Sequence, residues 1–184
     1  TALSKTLESR GHEIAVLTRN FYEKAEHKQY LWDPSNAEID LLAFKNLDCI
    51  IHLAGAGIAE KRWKKKRKEE LLSSRVDTAQ FLFLKIKEFN IPLKSFISSS
   101  AVGWYGVETT EDIYTEETKA SNHFLGQLCK RWEQAADRFS DLGCRVSKVR
   151  TGIVFSDKGG ALEKICKPII RGQGAPLGSG KQYM

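Results

Sequence analysis

The sequence predicts an α/β fold, a doubly wound parallel sheet with helices on both faces, and three observations predict it. Short strand-like runs alternate with helical patterns of ten residues or more, the alternation that parallel strands joined by crossover helices require. Asp48 to Leu53, DCIIHL, is apolar almost throughout, as a strand covered on both faces must be. With 184 residues, 41% of them hydrophobic and 28% charged, the chain suits one domain with its own core, and no repeat or linker divides it.

Each element follows from its residues. ALSKTLESR, residues 2–10, places Leu3 and Leu7 one turn apart and meets Gly11, which can take the left-handed conformation that closes a helix, so the chain opens in a helix. HEIAVLTRN, residues 12–20, is the first visible strand, and YLWDPSN after it reads as a loop. DCIIHL is the next strand. From Lys64 to Phe89, Leu72, Val76, Ala79, Phe83 and Ile86 recur at spacings of four and three and share one helical face, which ends before Asn90-Ile91-Pro92. KSFISSS is a strand. A second long helix carries Leu125, Leu128, Trp132, Ala135 and Phe139 on one face and closes at Gly143. CRVSKVRTGIVF is the last strand, and the Gly-rich tail from Gly159 shows no periodicity.

Composition excludes several functions. No run of about 18 apolar residues offers a membrane span, and the first residues lack the apolar centre of a secretory signal, which points to a cytoplasmic protein. Cys49, Cys129, Cys144 and Cys166 form no C-x-x-C, and His12, His27, His52 and His123 have no ligand spacing, so no metal site is expected. Cys49 and Cys144 lie in strand-like runs, where a buried, inert thiol is usual. The net charge of +6 is concentrated: residues 60–70 carry seven positive charges against three negative. Such a run is by default a solvated helix face. Trp63 is its one aromatic residue, so nucleic-acid binding ranks below a small-nucleotide reading.

In open α/β sheets ligands bind beyond the carboxyl ends of the strands. Thr18, Arg19 and Asn20 follow the first strand. Where an NAD site usually has a carboxylate for the ribose hydroxyls, Arg19 offers a fork to a 2′-phosphate, which points to NADP. An exposed arginine at a strand end would look the same. Ala54-Gly55-Ala56-Gly57, after DCIIHL, allows backbone to approach a ligand closely, although a tight strand-to-helix turn needs the same residues. Ser98-Ser99-Ser100 precedes AVGWYG, and Thr151-Gly152-Ile153 follows SKVR.

Taken together, LAGAGIAEKRW, SRV, SSSAVGWYG, FLGQLCKRWE, VRTGIVFSDKGGAL and PLGSGKQ resemble the sugar-nucleotide-epimerase-like branch of the atypical short-chain dehydrogenases/reductases, an NADP-binding Rossmann family. The resemblance covers essentially the entire chain. It implies that Thr18 and Arg19 hold the 2′-phosphate end of NADP and that Leu53, Ala54 and Gly55 form the turn under its adenosine half. It also implies that Glu70 and Arg75 contact NADP from the long helix, that Ile153 lies beside the nicotinamide end, and that Ser100 hydrogen-bonds the reacting hydroxyl of a small-molecule substrate. Tyr105 is a further candidate acid.

Two departures set limits on this reading. Active members place a tyrosine four residues before a lysine, whose ammonium lowers the phenol's pKa. The matching helix here offers only Phe124 with Leu128 or Leu125 with Cys129, and none of the five tyrosines has a lysine four residues on. The chain therefore reads as an NADP-binding oxidoreductase or epimerase for an unknown sugar-nucleotide type of substrate, or alternatively as a non-catalytic NADP-binding scaffold or redox sensor. Neither the substrate nor the oligomeric state is legible. The second departure is the missing G-x-G-x-x-G turn. The tail GQGAPLGSGKQ is no P-loop, since Ala175 and Gln182 stand where Gly and Ser or Thr belong, and the resemblance makes it a substrate-side loop.

A sheet of order 3-2-1-4-5-6 puts its first strand between HEIAVLT and DCIIHL, whereas this chain opens in the helix that should follow that strand. Omitting a central strand would part its neighbours by about 9.6 Å. The expectation is one NADP-binding Rossmann domain over residues 1–184, truncated at both ends, with a strand and Gly-rich turn of roughly 10 to 15 residues before Thr1. Direct pairing of HEIAVLT with DCIIHL would contradict the doubly wound order.

Overall fold

The computed structural model describes residues 1–108, 110–156, 159–176 and 180. Helix α1 (Ala2–Glu8) is capped by Thr1, whose hydroxyl accepts from the Ser4 amide, and the chain leaves it through Gly11 at φ +83°. Strand β1 (Ala15–Thr18) runs parallel to β2 (Lys28–Asp33), with Val16 beside Gln29 and Thr18 beside Leu31. The two-residue β3 (Glu38–Ile39) folds back antiparallel on β2.

Strand β2 corrects the sequence reading, which took YLWDPSN for loop. Its aromatic run Tyr30-Leu31-Trp32 suits a pleated surface. The turn residues belong only to the hairpin that follows, where Asp33 accepts from the Ser35 amide at 2.9 Å and Ala37 takes φ +56°.

The second sheet is parallel throughout, in the order β4 (Cys49–His52), β5 (Ser95–Ala101), β6 (Arg145–Thr151). Helix α2 (Lys65–Glu88) connects β4 to β5, and α3 (Phe124–Asp137) connects β5 to β6 through a short 3-10 segment that ends at Gly143, φ +76°. No ladder joins β1 to β4 among the described residues, so the pairing that would have contradicted a doubly wound order does not occur there. Strand β4 alternates, with Ile50 and His52 buried and Cys49 and Ile51 only partly so, which corrects the expectation of a run covered throughout.

The core lies between this sheet and helices α2 and α3. Phe96 of β5 stacks on Phe139 at 3.7 Å between ring centroids, and Phe83 of α2 meets Phe139 edge-on at 5.6 Å. Leu17 of β1 and Trp32 of β2 pack against the same cluster, so both sheets share it. On α2 the buried positions are Arg67, Leu71, Arg75, Ala79, Leu82, Phe83 and Ile86. The stripe expected through Leu72 and Val76 is therefore displaced in the first half of the helix. Two of the inward positions there are arginines, so an apolar pattern alone selects their half-buried neighbours.

The tail gives the remaining difference. Beyond the small antiparallel pair β7 (Phe155–Ser156) and β8 (Gly159–Gly160), residues expected to be irregular form α4 (Ala161–Ile170), which bears Pro168. Its Lys164 ammonium donates to the Ala59 carbonyl at 3.1 Å, tying it to the segment after β4. Residues 177–179, 181 and 182 of the expected substrate-side loop GQGAPLGSGKQ lie outside the described residues.

Candidate functional site

The carboxyl ends of β4, β5 and β6 lie side by side, and the residues just beyond them include large apolar side chains left open: Leu53 is 62% exposed, Val102 45% and Ile153 53%. Around this rim stand two built clusters, one at the turn after β4 and one across the ends of β5 and β6.

At the turn after β4, the Ala56 amide donates to the Ser74 hydroxyl at 3.0 Å. Arg75 reaches the same turn from α2. Its Nη2 donates to the Ala56 carbonyl at 3.0 Å and its Nη1 to the Leu71 carbonyl at 2.9 Å. The guanidinium also lies 5.0 Å from the centre of the Trp132 ring. Arg75 is 7% exposed, its Nε has no partner, and no carboxylate pairs with it among the described residues. Burial pushes its pKa down, against the direction in which an ion pair would move it. A side chain at position 55 would meet this guanidinium, since a Cβ on Gly55 would lie 2.9 Å from its central carbon. The glycine that the sequence offered for close ligand approach is thus also the space that Arg75 fills.

The basic run divides. Arg67 turns inward, where Nη1 pairs with Glu70 at 2.8 Å and Nη2 with Glu60 at 3.1 Å, and Nη2 also donates to the Gly57 carbonyl. This contact holds the Glu70 carboxyl below its usual pKa. Lys68 covers the Phe124 ring at 4.8 Å, and the other five basic residues of 61–68 are exposed.

Beneath the turn, His52 is 3% exposed. Its Nε2 shares a 3.0 Å hydrogen bond with the Thr78 hydroxyl, while Nδ1 has no partner. Burial, helped by the nearby Arg75 charge, lowers its pKa to about 4, so the imidazole is neutral at neutral pH.

The second cluster joins Ser100 to Tyr105. Ser100 stands directly beside Arg150 in the parallel β5–β6 ladder, so both side chains leave the same face of the sheet toward α3. There they meet Glu133, which is 2% exposed. The Ser100 hydroxyl donates to Glu133 Oε1 at 2.6 Å, and Arg150 grips both carboxylate oxygens, from Nε at 2.8 Å and Nη2 at 2.9 Å. The remaining nitrogen, Nη1, donates to the Tyr105 hydroxyl and to the Glu116 carbonyl, each at 3.1 Å. The guanidinium lies over the Trp104 ring at 3.8 Å, and Tyr105 stacks on Tyr114 at 5.1 Å. The bond to Glu133 raises the Arg150 pKa, so its charge is permanent.

The structure therefore brings Leu53, Ala54, Gly55 and Arg75 together, and separately Ser100 with Tyr105. Thr18 hydrogen-bonds within its own turn, its hydroxyl donating to the Asn20 carbonyl at 2.7 Å. Arg19 is exposed and engages no other group among the described residues. Sequence reasoning missed His52, Glu133 and Arg150. Glu133 did carry a signal, being a carboxylate embedded between Trp132 and Ala135 on the apolar face of α3, where an acid needs a buried cation.

The model of the NAD dependent epimerase/dehydratase family matches residues 1–136. The chain belongs to that family. An epimerase family protein of Mycobacterium bovis is 34% identical over 184 residues, covering 100% of this chain and 60% of its own length. The structure of human epimerase family protein SDR39U1, solved with NADPH, superposes with a TM-score of 0.79 at 28% identity, over 100% of this chain and 60% of that one. A nucleoside-diphosphate sugar epimerase from Corynebacterium glutamicum superposes with a TM-score of 0.77 at 33% identity, over 97% of this chain and 36% of that one. The chain spans about 60% of the length of the curated relatives it matches. The fold is the Rossmann-like α/β fold of the family. No described helix is long and apolar enough to cross a membrane. Among the described residues no group of three His, Cys, Asp or Glu could hold a metal ion.

Proposed function

We propose that this chain is the nucleotide-binding part of an NADP-dependent oxidoreductase or epimerase whose substrate is of the sugar-nucleotide class. The observation that carries the reading is Arg75: a buried guanidinium with an orphaned Nε and, among the described residues, no carboxylate, packed against the small-residue turn at Gly55. Such a cation suits an anionic ligand, and the residues fit NADP. Leu53, Ala54 and Gly55 would line its adenosine half, and Thr18 and the unengaged fork of Arg19 would hold the 2′-phosphate. Arg75 and Glu70 would contact it from α2, and Ile153 would lie against the nicotinamide end. NADP, when bound, supplies a hydride donor or acceptor. The relatives named for NADPH and for nucleoside-diphosphate sugars support both halves of the proposal.

Ser100 and Tyr105 are the proposed catalytic hydroxyls. Glu133 keeps both Arg150 contacts when the Ser100 hydroxyl turns away, so that hydroxyl can exchange its bond for one to a substrate oxygen. The reading of a non-catalytic NADP-binding scaffold or redox sensor draws on α3, where buried Leu128 and Cys129 hold the two places open to a dyad lysine.

Calorimetry tests the cofactor assignment. NADP should bind at least about tenfold tighter than NAD, because a charge-assisted contact to the 2′-phosphate is worth about 1.5 to 3 kcal/mol. Arg19→Ala should erase most of the difference, and equal affinities in the native protein would sink the assignment. Ser100→Ala should change turnover with little change in NADP affinity, and a rate untouched by it would put the chemistry elsewhere.

A further inference from the structure

The family's proton-transfer lysine has no counterpart on α3, yet a cation does reach a tyrosine at the carboxyl edge of the sheet. We propose that Arg150, held by Glu133, takes the place of that lysine: it is the positioning residue that presents the Tyr105 hydroxyl to the substrate's reacting oxygen and accommodates charge on the phenol oxygen when its proton leaves. This rests on the oxidoreductase or epimerase reading above.

Three features carry it. Tyr105 follows β5 and Arg150 is the penultimate residue of β6, so the pair sits at the carboxyl ends of adjacent strands, where open α/β sheets bind their ligands. The guanidinium is fixed on every side, by both Glu133 oxygens, by the Glu116 carbonyl and by the Trp104 face, so Nη1 is aimed at Tyr105. Nη1 donates to the Tyr105 oxygen, which leaves that hydroxyl's own hydrogen available to a second acceptor. In the proton-transfer step the Tyr105 O–H bond breaks as an O–H bond forms on a substrate alkoxide, and the negative charge passes to the Tyr105 oxygen, still hydrogen-bonded to Nη1–H. In the reverse direction that oxygen takes the proton back from the substrate hydroxyl. NADP, when bound, would supply or accept the accompanying hydride.

Glu133 balances the charge of Arg150, so Tyr105 receives a directed N–H more than a net positive field. The effect is accordingly closer to tenfold than to a thousandfold.

Nitration of tyrosine by tetranitromethane proceeds through the phenolate and needs no turnover, so it reads this coupling directly. In the full-length protein, nitration of Tyr105 is followed by mass spectrometry against Tyr22, which is exposed and outside the cluster. The double variant Arg150→Met with Glu133→Gln removes the cation without leaving a buried charge unpaired, and Arg150→Lys restores a cation. Nitration of Tyr105 relative to Tyr22 should fall roughly tenfold in the double variant and recover to within about threefold of native in Arg150→Lys. A clamp that merely holds the loop predicts the opposite, since loosening it exposes the ring, and unchanged or faster nitration in the double variant overturns the proposal. NADP affinity is measured on the same samples. Failure of the native protein to bind NADP would remove the functional reading, whereas the nitration ratio still decides the link between Arg150 and Tyr105.

Discussion

Arg75, buried, and Arg150, partly buried, are both inward-facing guanidiniums near the carboxyl edge of the parallel sheet, and their surroundings differ in one respect. Arg150 has a carboxylate, and every one of its nitrogens donates to a partner. Arg75 has two backbone carbonyls and an indole face, with its Nε unpaired. Desolvating an ion costs several kcal/mol, which a geometrically good partner offsets. The ends of β5 and β6 therefore form a closed electrostatic unit suited to holding a hydroxyl in place. The turn after β4 keeps an unbalanced charge, which favours an anionic ligand there.

Breaking the closed unit should have the largest effect on stability. Glu133→Gln leaves the partly buried Arg150 without its counter-charge, and a loss of about 3 kcal/mol, the low end for breaking a buried pair, is expected in urea unfolding. Adding Arg150→Met should recover most of it, because both charges are then gone. If Glu133→Gln alone unfolds no more easily than native, the pair does not stabilise the fold.

Acid should act next, and it acts at the other cluster. The unfolded-state pKa of His52 is near its ordinary 6.5 and the folded value about 4, so between these the unfolded chain binds more protons. The contribution of His52 is fully present above pH 6.5 and is lost as pH falls through 4, roughly 3 kcal/mol in all. Urea midpoints measured across that window should fall steeply in the native protein and more gently in His52→Gln. Identical slopes would show that other groups govern the acid limb.

Arg75→Met sharpens the comparison. It should cost only about 1 to 2 kcal/mol of stability, since no carboxylate is orphaned, while lowering NADP affinity about tenfold or more. A large stability loss with unchanged NADP affinity would mean that Arg75 is purely structural. Arg19→Ala should be the smallest of all in stability, with no measurable shift in the unfolding midpoint and its effect confined to the choice between NADP and NAD.

Much of the frame was legible in the chain. The strands around Ala15–Thr18, Cys49–His52, Ser95–Ala101 and Arg145–Thr151 and the two long helices follow from β-branched runs and from apolar spacing of three and four. Strand β2 was hidden by the turn residues after it. Helix α4 was hidden by flanking glycines and by Pro168, and none of its residues is buried among the described ones, so the core left little mark on its sequence.

By itself the sequence determined the alternation of strand and helix, the small-residue turn after β4 and the absence of a tyrosine and lysine four residues apart on α3, because each is a property of neighbours along the chain. Only the tertiary structure decided that Arg150 has an acid and Arg75 has none among the described residues. Glu133 and Arg150 belong to different elements, and so do Arg75 and the Ala56 carbonyl it holds. Periodicity places a charge on a face of its own element, but whether that charge meets a counter-charge depends on the distance across the packed interface. That distance is set by strand register and helix packing.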